Sequence, residues 1–140
     1  MIKVVFDTNV LVAAVRSNTG ASFRLLSMVG PEAPFRLSVS VPLVLEYEMA
    51  LKRKSELGEV EVEAIVDYIC KVAERRQIHF LWRPFLRDPG DEMVLEIAVE
   101  AGVDVLVTHN VRDFANVQNQ FGVRIVTPRT FLSEIEGVTQ

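Results

Sequence analysis

Val4-Val5-Phe6, followed at once by Asp7-Thr8-Asn9, constrains this chain more than any other stretch. A run of apolar β-branched and aromatic residues reads as a buried strand. A carboxylate then stops the run, and Thr8 or Asn9 offers a helix N-cap. Val10, Leu11, Ala13, Ala14 and Val15 continue at a spacing that suits a helix. A strand ending on Asp7 sets a charge where open α/β sheets hold their ligands, outside the carboxyl ends of the strands. The same aspartate also has a plain structural use as part of the helix cap.

The alternation of strand and helix continues along the chain. Residues 21–29 carry a helical pattern between Gly20 and Gly30-Pro31. Phe35-Arg36-Leu37-Ser38-Val39 alternates apolar and polar residues as a second strand. Residues 42–54 form the next helix, with Ser40 as a cap and Lys52-Arg53-Lys54 at the negative end of its dipole. Residues 59–76 repeat the helical spacing, and the joint near Leu57-Gly58 predicts an antiparallel helical hairpin. Residues 78–82 read as a third strand. Asp88-Pro89-Gly90-Asp91 opens a helix through Glu100, stopped by Gly102. Residues 103–107 make a fourth strand that turns at Thr108-His109-Asn110 into a short helix or loop. Residues 123–126 make a fifth strand, and Pro128 starts a terminal helix to Glu136. This pattern predicts a single domain over residues 1–140, an α/β three-layer sandwich with a mostly parallel sheet of about five strands.

The composition suits that fold. With 140 residues, 49% of them apolar, the chain is the size of one domain with one core. No apolar run approaches the roughly 20 residues of a membrane span. The opening residues carry no secretory-signal pattern, and Cys70 is the only cysteine, so a cytoplasmic location is expected. Cys70 falls among apolar helix positions and reads as core. A net charge of -4 does not announce nucleic-acid binding, but a local basic stripe matters more than the total.

Four acidic or amide positions stand out: Asp7, Glu46, the Asp88/Asp91 pair, and the Asn110/Asp113 region. If the first and fourth strands are neighbours, Asp7 and Asn110 follow them at the same edge. A helix packed antiparallel on a strand brings its own N-terminus to that edge, so Asp91 and Glu46 reach the same crevice. Carboxylates held together repel unless a cation compensates. Oxygen ligands without a Cys/His set favour Mg²⁺ or Mn²⁺. Such a site activates water and stabilises phosphoryl charge, so hydrolysis of a phosphodiester is the implied chemistry. Structural uses compete at each position. Asp88 and Asp91 fit the cap and third position of a helix start, and Glu46 suits an early helical turn. Glu48 points to a different helix face from Glu46. His79 reads as a packed or surface histidine, and His109 as a turn residue. The basic groups Lys52-Arg53-Lys54, Lys71/Arg75/Arg76 and Arg83/Arg87 default to solvated faces. If Arg83 and Arg87 flank the crevice, they suit a substrate backbone.

Taken together, five segments resemble the PIN-domain proteins, and more narrowly the ribonuclease toxins of toxin–antitoxin pairs. They are residues 5–11 around Asp7, residues 41–47 around Glu46, Asp88-Pro89-Gly90-Asp91-Glu92, residues 107–114 around Thr108-His109-Asn110, and residues 126–132. The resemblance implies an Mg²⁺- or Mn²⁺-dependent endoribonuclease. Asp7, Glu46 and Asp91 would be its catalytic and metal-binding acids. Thr108 would support them, with Thr8, Asn9 and Asp88 as further supporting residues. Many relatives carry Asp where this chain has Asn110. A neutral amide ligates through its carbonyl but brings no charge, and Asp113 is the alternative source of a carboxylate. The resemblance further implies an RNA substrate, a small antitoxin partner and a homodimer. A catalytically weak or inactive PIN-like module that binds RNA or protein is the alternative reading, motivated by Asn110. A phosphatase with Asp7 as nucleophile would want a second acid two residues on, which Asn9 cannot supply.

Overall fold

The computed structural model describes residues 1–78 and 89–137. The first half runs β1 (Ile2–Phe6), α1 (Thr8–Arg16), α2 (Ala21–Met28), β2 (Phe35–Val39), α3 (Val41–Lys54) and α4 (Glu59–Val72). The second half runs β3 (Glu74–Arg75), α5 (Pro89–Ala101), β4 (Val105–Val107), a 3-10 turn (Val111–Phe114), α6 (Ala115–Phe121), β5 (Arg124–Val126) and α7 (Pro128–Gly137). Among the described residues no helix is long and apolar enough to cross a membrane.

The strands form one parallel sheet in the order β3-β2-β1-β4-β5. β1 is central, and its sequence explains why. Successive strand residues face opposite sides, yet Val4, Val5 and Phe6 are all 0% exposed. Both faces of the sheet are therefore covered, the condition that favours a parallel sheet. α5 packs on β1 and β2 and α6 on β5, while α1 packs on α2 and α3, α3 on α4, and α2 on α7. Phe35 joins two parts of the core, with its ring 5.9 Å from that of Phe6 and 5.5 Å from that of Phe131. α5 and α6 stop at Gly102 (φ 62°) and Gly122 (φ 72°), left-handed turns that glycine adopts without strain. Each turn leads within a few residues into the next strand, β4 and β5 respectively.

Three local expectations change. α4 ends at Val72 rather than continuing to Arg76, and Glu74–Arg75 is a strand that the sequence pattern does not mark. Ala73 turns extended (φ -80°, ψ 157°), and Glu74 then pairs with Ser38 while the Arg76 N–H bonds Val39 O at 2.9 Å. A short charged edge strand has no apolar signature and merges with the helical pattern before it. Residues 79–82, and His79 with them, lie outside the described residues. The N-cap of α1 is Asp7 itself, not Thr8 or Asn9. α3 begins at Val41, one residue early, with Glu46 in its second turn. The Ser40 hydroxyl caps α3 by accepting from Leu43 N–H at 3.2 Å.

Candidate functional site

β1 has β2 on one side and β4 on the other, and the connections leaving them run in opposite directions. That reversal opens a crevice outside the carboxyl ends of β1 and β4. The ladder carries one residue past each strand. Asp7 N–H donates to Val107 O at 2.8 Å, and Thr108 N–H donates to Val126 O at 2.9 Å. Asp7 and Thr108 are thereby fixed side by side at the sheet edge. Asp7 occupies the N-cap position of α1, yet its carboxylate makes no capping bond to the helix. Instead the Thr108 hydroxyl donates to Asp7 Oδ2 at 2.6 Å and accepts from Asn110 N–H at 2.9 Å. Thr108 is fully buried and Asp7 is 4% exposed. One hydroxyl therefore orients a buried carboxylate and sets the turn that carries Asn110. A second bond closes the same turn, from His109 N–H to Asn9 Oδ1 at 3.3 Å.

α3 is held against this edge by Tyr47. Its buried hydroxyl donates to Phe6 O at 2.6 Å. Burial pushes the Tyr47 phenol well above its ordinary range, and the negative charge of Asp7 adds to the shift. Glu46, one residue earlier on the same helix, is half-buried and turned to the crevice. Glu48 points elsewhere and pairs with Lys52 at 3.1 Å. α3 also meets α5, whose first turn supplies Gly90 and Asp91 to the crevice.

The crevice has a volume of about 360 Å³. Asp7, Glu46, Asp91, Asn110, Thr8 and Asn9 all line it, and Thr108 lies beneath as the bonding partner of Asp7. Asp113 does not line it; it is exposed in the 3-10 turn, and its N–H bonds Asn110 O at 2.9 Å. Arg83, Arg87 and Asp88 lie outside the described residues. Two of the lining residues are cations with no sequence signal for the site. Arg16 and Lys54 reach it from the last turns of α1 and α3. His109 lines it too, with Nε2 3.0 Å from the Ser22 hydroxyl, and burial lowers the pKa of its imidazole.

A profile of the PIN domain family matches residues 3–112 of the chain. The chain belongs to the PIN domain family. The matched segment contains Asp7, Glu46, Asp91, Thr108 and Asn110. Two solved structures share the PIN-domain fold seen here. One is a chain of VapBC2 from Rickettsia felis, crystallised bound to a DNA fragment from the promoter; the TM-score is 0.62 and the identity 12%, over 90% of this chain and 98% of that one. The other is a chain of VapBC-1 from nontypeable Haemophilus influenzae, with TM-score 0.62 and 15% identity, over 92% of this chain and 99% of that one. A comparison with curated protein sequences finds no match.

The donors of this PIN domain suit a hard divalent cation. Carboxylates, two amides, a hydroxyl and the imidazole of His109 line the crevice, with no sulfur among them. The Thr8 hydroxyl is buried and makes no hydrogen bond among the described residues, which leaves a lining oxygen with bonding capacity unused. Among the described residues no group of three His, Cys, Asp or Glu side chains could hold a metal ion as it stands. Mg²⁺ does not ask for such a group, because it keeps several waters and is held by one or two carboxylates together with substrate phosphate.

Proposed function

We propose that this PIN domain is an endoribonuclease that depends on Mg²⁺ or Mn²⁺ and acts as the toxin of a toxin–antitoxin pair. One observation carries the reading: Asp7, Glu46, Asp91 and Asn110, drawn from four separate segments, line one crevice at the switch point of the sheet. Asp7, Glu46 and Asp91 would hold the cation, with Asn110 contributing a carbonyl. When bound, the cation supplies activated water and offsets charge on the phosphoryl group. The protein's own part is positioning. Thr108 holds Asp7 in one orientation, Tyr47 locks α3 so that Glu46 stays at the rim, and the Asn9–His109 bond fixes the turn that presents Asn110.

The partner side of the reading rests on the two VapBC structures and on α3. Val41, Leu45 and Met49 recur every fourth residue of that helix and are 68%, 53% and 53% exposed. An apolar stripe of this kind suits a protein partner, and we assign it to the antitoxin or to a second copy in a homodimer. A cytoplasmic location follows from the same reading, since the substrate would be cellular RNA.

Asn110 favours a second reading, a weak or inactive module that binds without cutting. The test is cleavage of a mixed pool of structured and single-stranded RNA with Mg²⁺, Mn²⁺ or EDTA, using protein freed of antitoxin. Cleavage that needs the cation and is lost in Asp7→Asn supports the nuclease. A folded protein that binds RNA without cutting it, and gains cleavage in Asn110→Asp, supports the module.

A further inference from the structure

The crevice is polarised along its length. On α1 its wall is formed by Asn9, Ala13 and Arg16, one helical face spanning about 10 Å at 1.5 Å per residue. On α3 it runs from Glu46 to Lys54 over about 12 Å by the same rise. The carboxylates therefore sit at one end and the cations at the other. A second cavity, of about 500 Å³, continues from the cationic end. It shares Arg16 and Lys54 and adds Arg53 and Ser55, with Glu56 as its one acid.

These cations differ from three others in the chain, though not from Arg36, Lys71, Arg75, Arg76, Arg112 and Arg129, which also make no ion pair among the described residues; what sets them apart is their place on the crevice and its continuation. Lys52 is taken up by Glu48 and Glu59, Arg24 by Glu136, and Arg124 by Glu134. Arg16, Arg53 and Lys54 are exposed, and among the described residues none of them makes an ion pair or side-chain hydrogen bond. All three sit in the last turn of a helix, where a basic residue is favourable in itself; what the dipole does not require is that Arg16 of α1 and Lys54 of α3 line the same groove, with Arg53 in the cavity beyond it.

We propose that Arg16 and Lys54, with Arg53 behind them, form a phosphate-binding subsite that holds the RNA backbone on one side of the scissile bond. The inference rests on the nuclease reading for the identity of the strand. A strand whose phosphodiester enters the acidic end must leave along a wall, and on this wall Arg16 and Lys54 offer contacts to its phosphates. Such contacts position the strand without selecting its sequence.

The test is fluorescence anisotropy of a labelled single-stranded RNA in EDTA across a salt series, with cleavage kinetics in Mg²⁺ or Mn²⁺ alongside. The proteins are wild type, the Arg16→Gln/Lys54→Gln double variant, an Arg16→Lys/Lys54→Arg variant and Asp7→Asn. The double variant should lose about tenfold in affinity. Its salt slope should be shallower by about 1.4, that is two contacts at about 0.7 each for a single strand. Charge-preserving exchange should restore most of the affinity, and Asp7→Asn should bind at least as tightly as wild type. In kinetics the double variant's loss should fall on KM rather than kcat. Unchanged affinity and slope in the folded double variant overturn the subsite and leave the cations to an acidic protein segment. Wild type that binds through these cations without cutting keeps the subsite and removes the nuclease reading. Wild type that cuts, with KM unchanged in the double variant, does the reverse. Wild type that neither binds nor cuts overturns both.

Discussion

The floor and the wall of the crevice are built in opposite ways. The floor is Asp7 and Thr108, both buried, each tied into the sheet by a backbone bond and to the other by a hydroxyl–carboxylate bond. The wall is Arg16 and Lys54, both exposed, in the last turns of α1 and α3. A buried carboxylate with a fixed donor keeps one orientation at no cost at the moment of reaction, which is what chemistry asks of it. An exposed cation is adaptable and screened by salt, which suits a phosphate that arrives and leaves. The floor is thus built for the reaction and the wall for the strand, and substitutions in the two should fail differently.

The widest gap between them should come from Asp7→Asn and Asp91→Asn. Each should lower kcat by at least about a thousandfold if the acid site carries several kcal/mol of transition-state stabilisation. Circular dichroism should show the fold intact; full activity in either variant would remove that residue from the site. Next is Thr108→Val, which keeps shape but deprives Asp7 of a donor and Asn110 N–H of an acceptor. Activity should fall about 10- to 100-fold, as for outer partners of ligating groups, and stability by about 1–3 kcal/mol. Thr108→Ser should recover most of both. The wall pair Arg16 and Lys54 should come third, with a salt-dependent change in KM of about tenfold.

The smallest effect sharpens the comparison from the side of stability. Tyr47→Phe removes the bond to Phe6 O and should cost about 1 kcal/mol in urea unfolding. The folded phenol titrates above its ordinary value, so above about pH 10 the unfolded chain releases a proton that the folded chain keeps. Stability should therefore fall as pH rises past 10, and Tyr47→Phe should flatten that fall. An unchanged alkaline slope would mean that the phenol is not the group responsible.

What could be read in the sequence followed from periodicity and from chain order. Val4-Val5-Phe6 announces β1 because a central strand is apolar on both faces, and Phe35–Val39 marks β2 by its alternation. Asp7 and Asn110 could be placed at one edge because each follows a parallel strand directly. Asp91 could be placed there because it opens the helix that leads back into β4. β3 was hidden because its two residues are charged and only its pairing with Ser38 and Val39 makes it a strand. Asp7, Thr8 and Asn9 all stood as candidates for the start of α1, because the β1–β4 ladder, a tertiary contact, decides where the strand stops. Arg16 was hidden for a similar reason, since nothing local says that the last turn of α1 borders the same groove as its first. Lys54 was visible only as part of a basic run, and ion pairing separates it from Lys52 in a way that composition does not.

The most direct measurement is RNA cleavage by antitoxin-free wild type, Asp7→Asn and Asp91→Asn, in Mg²⁺, Mn²⁺ and EDTA. Cleavage by wild type that requires a cation and disappears in both variants is the predicted result. Cleavage that persists in EDTA, or that survives in either folded variant, would contradict the assignment of the crevice as the catalytic centre.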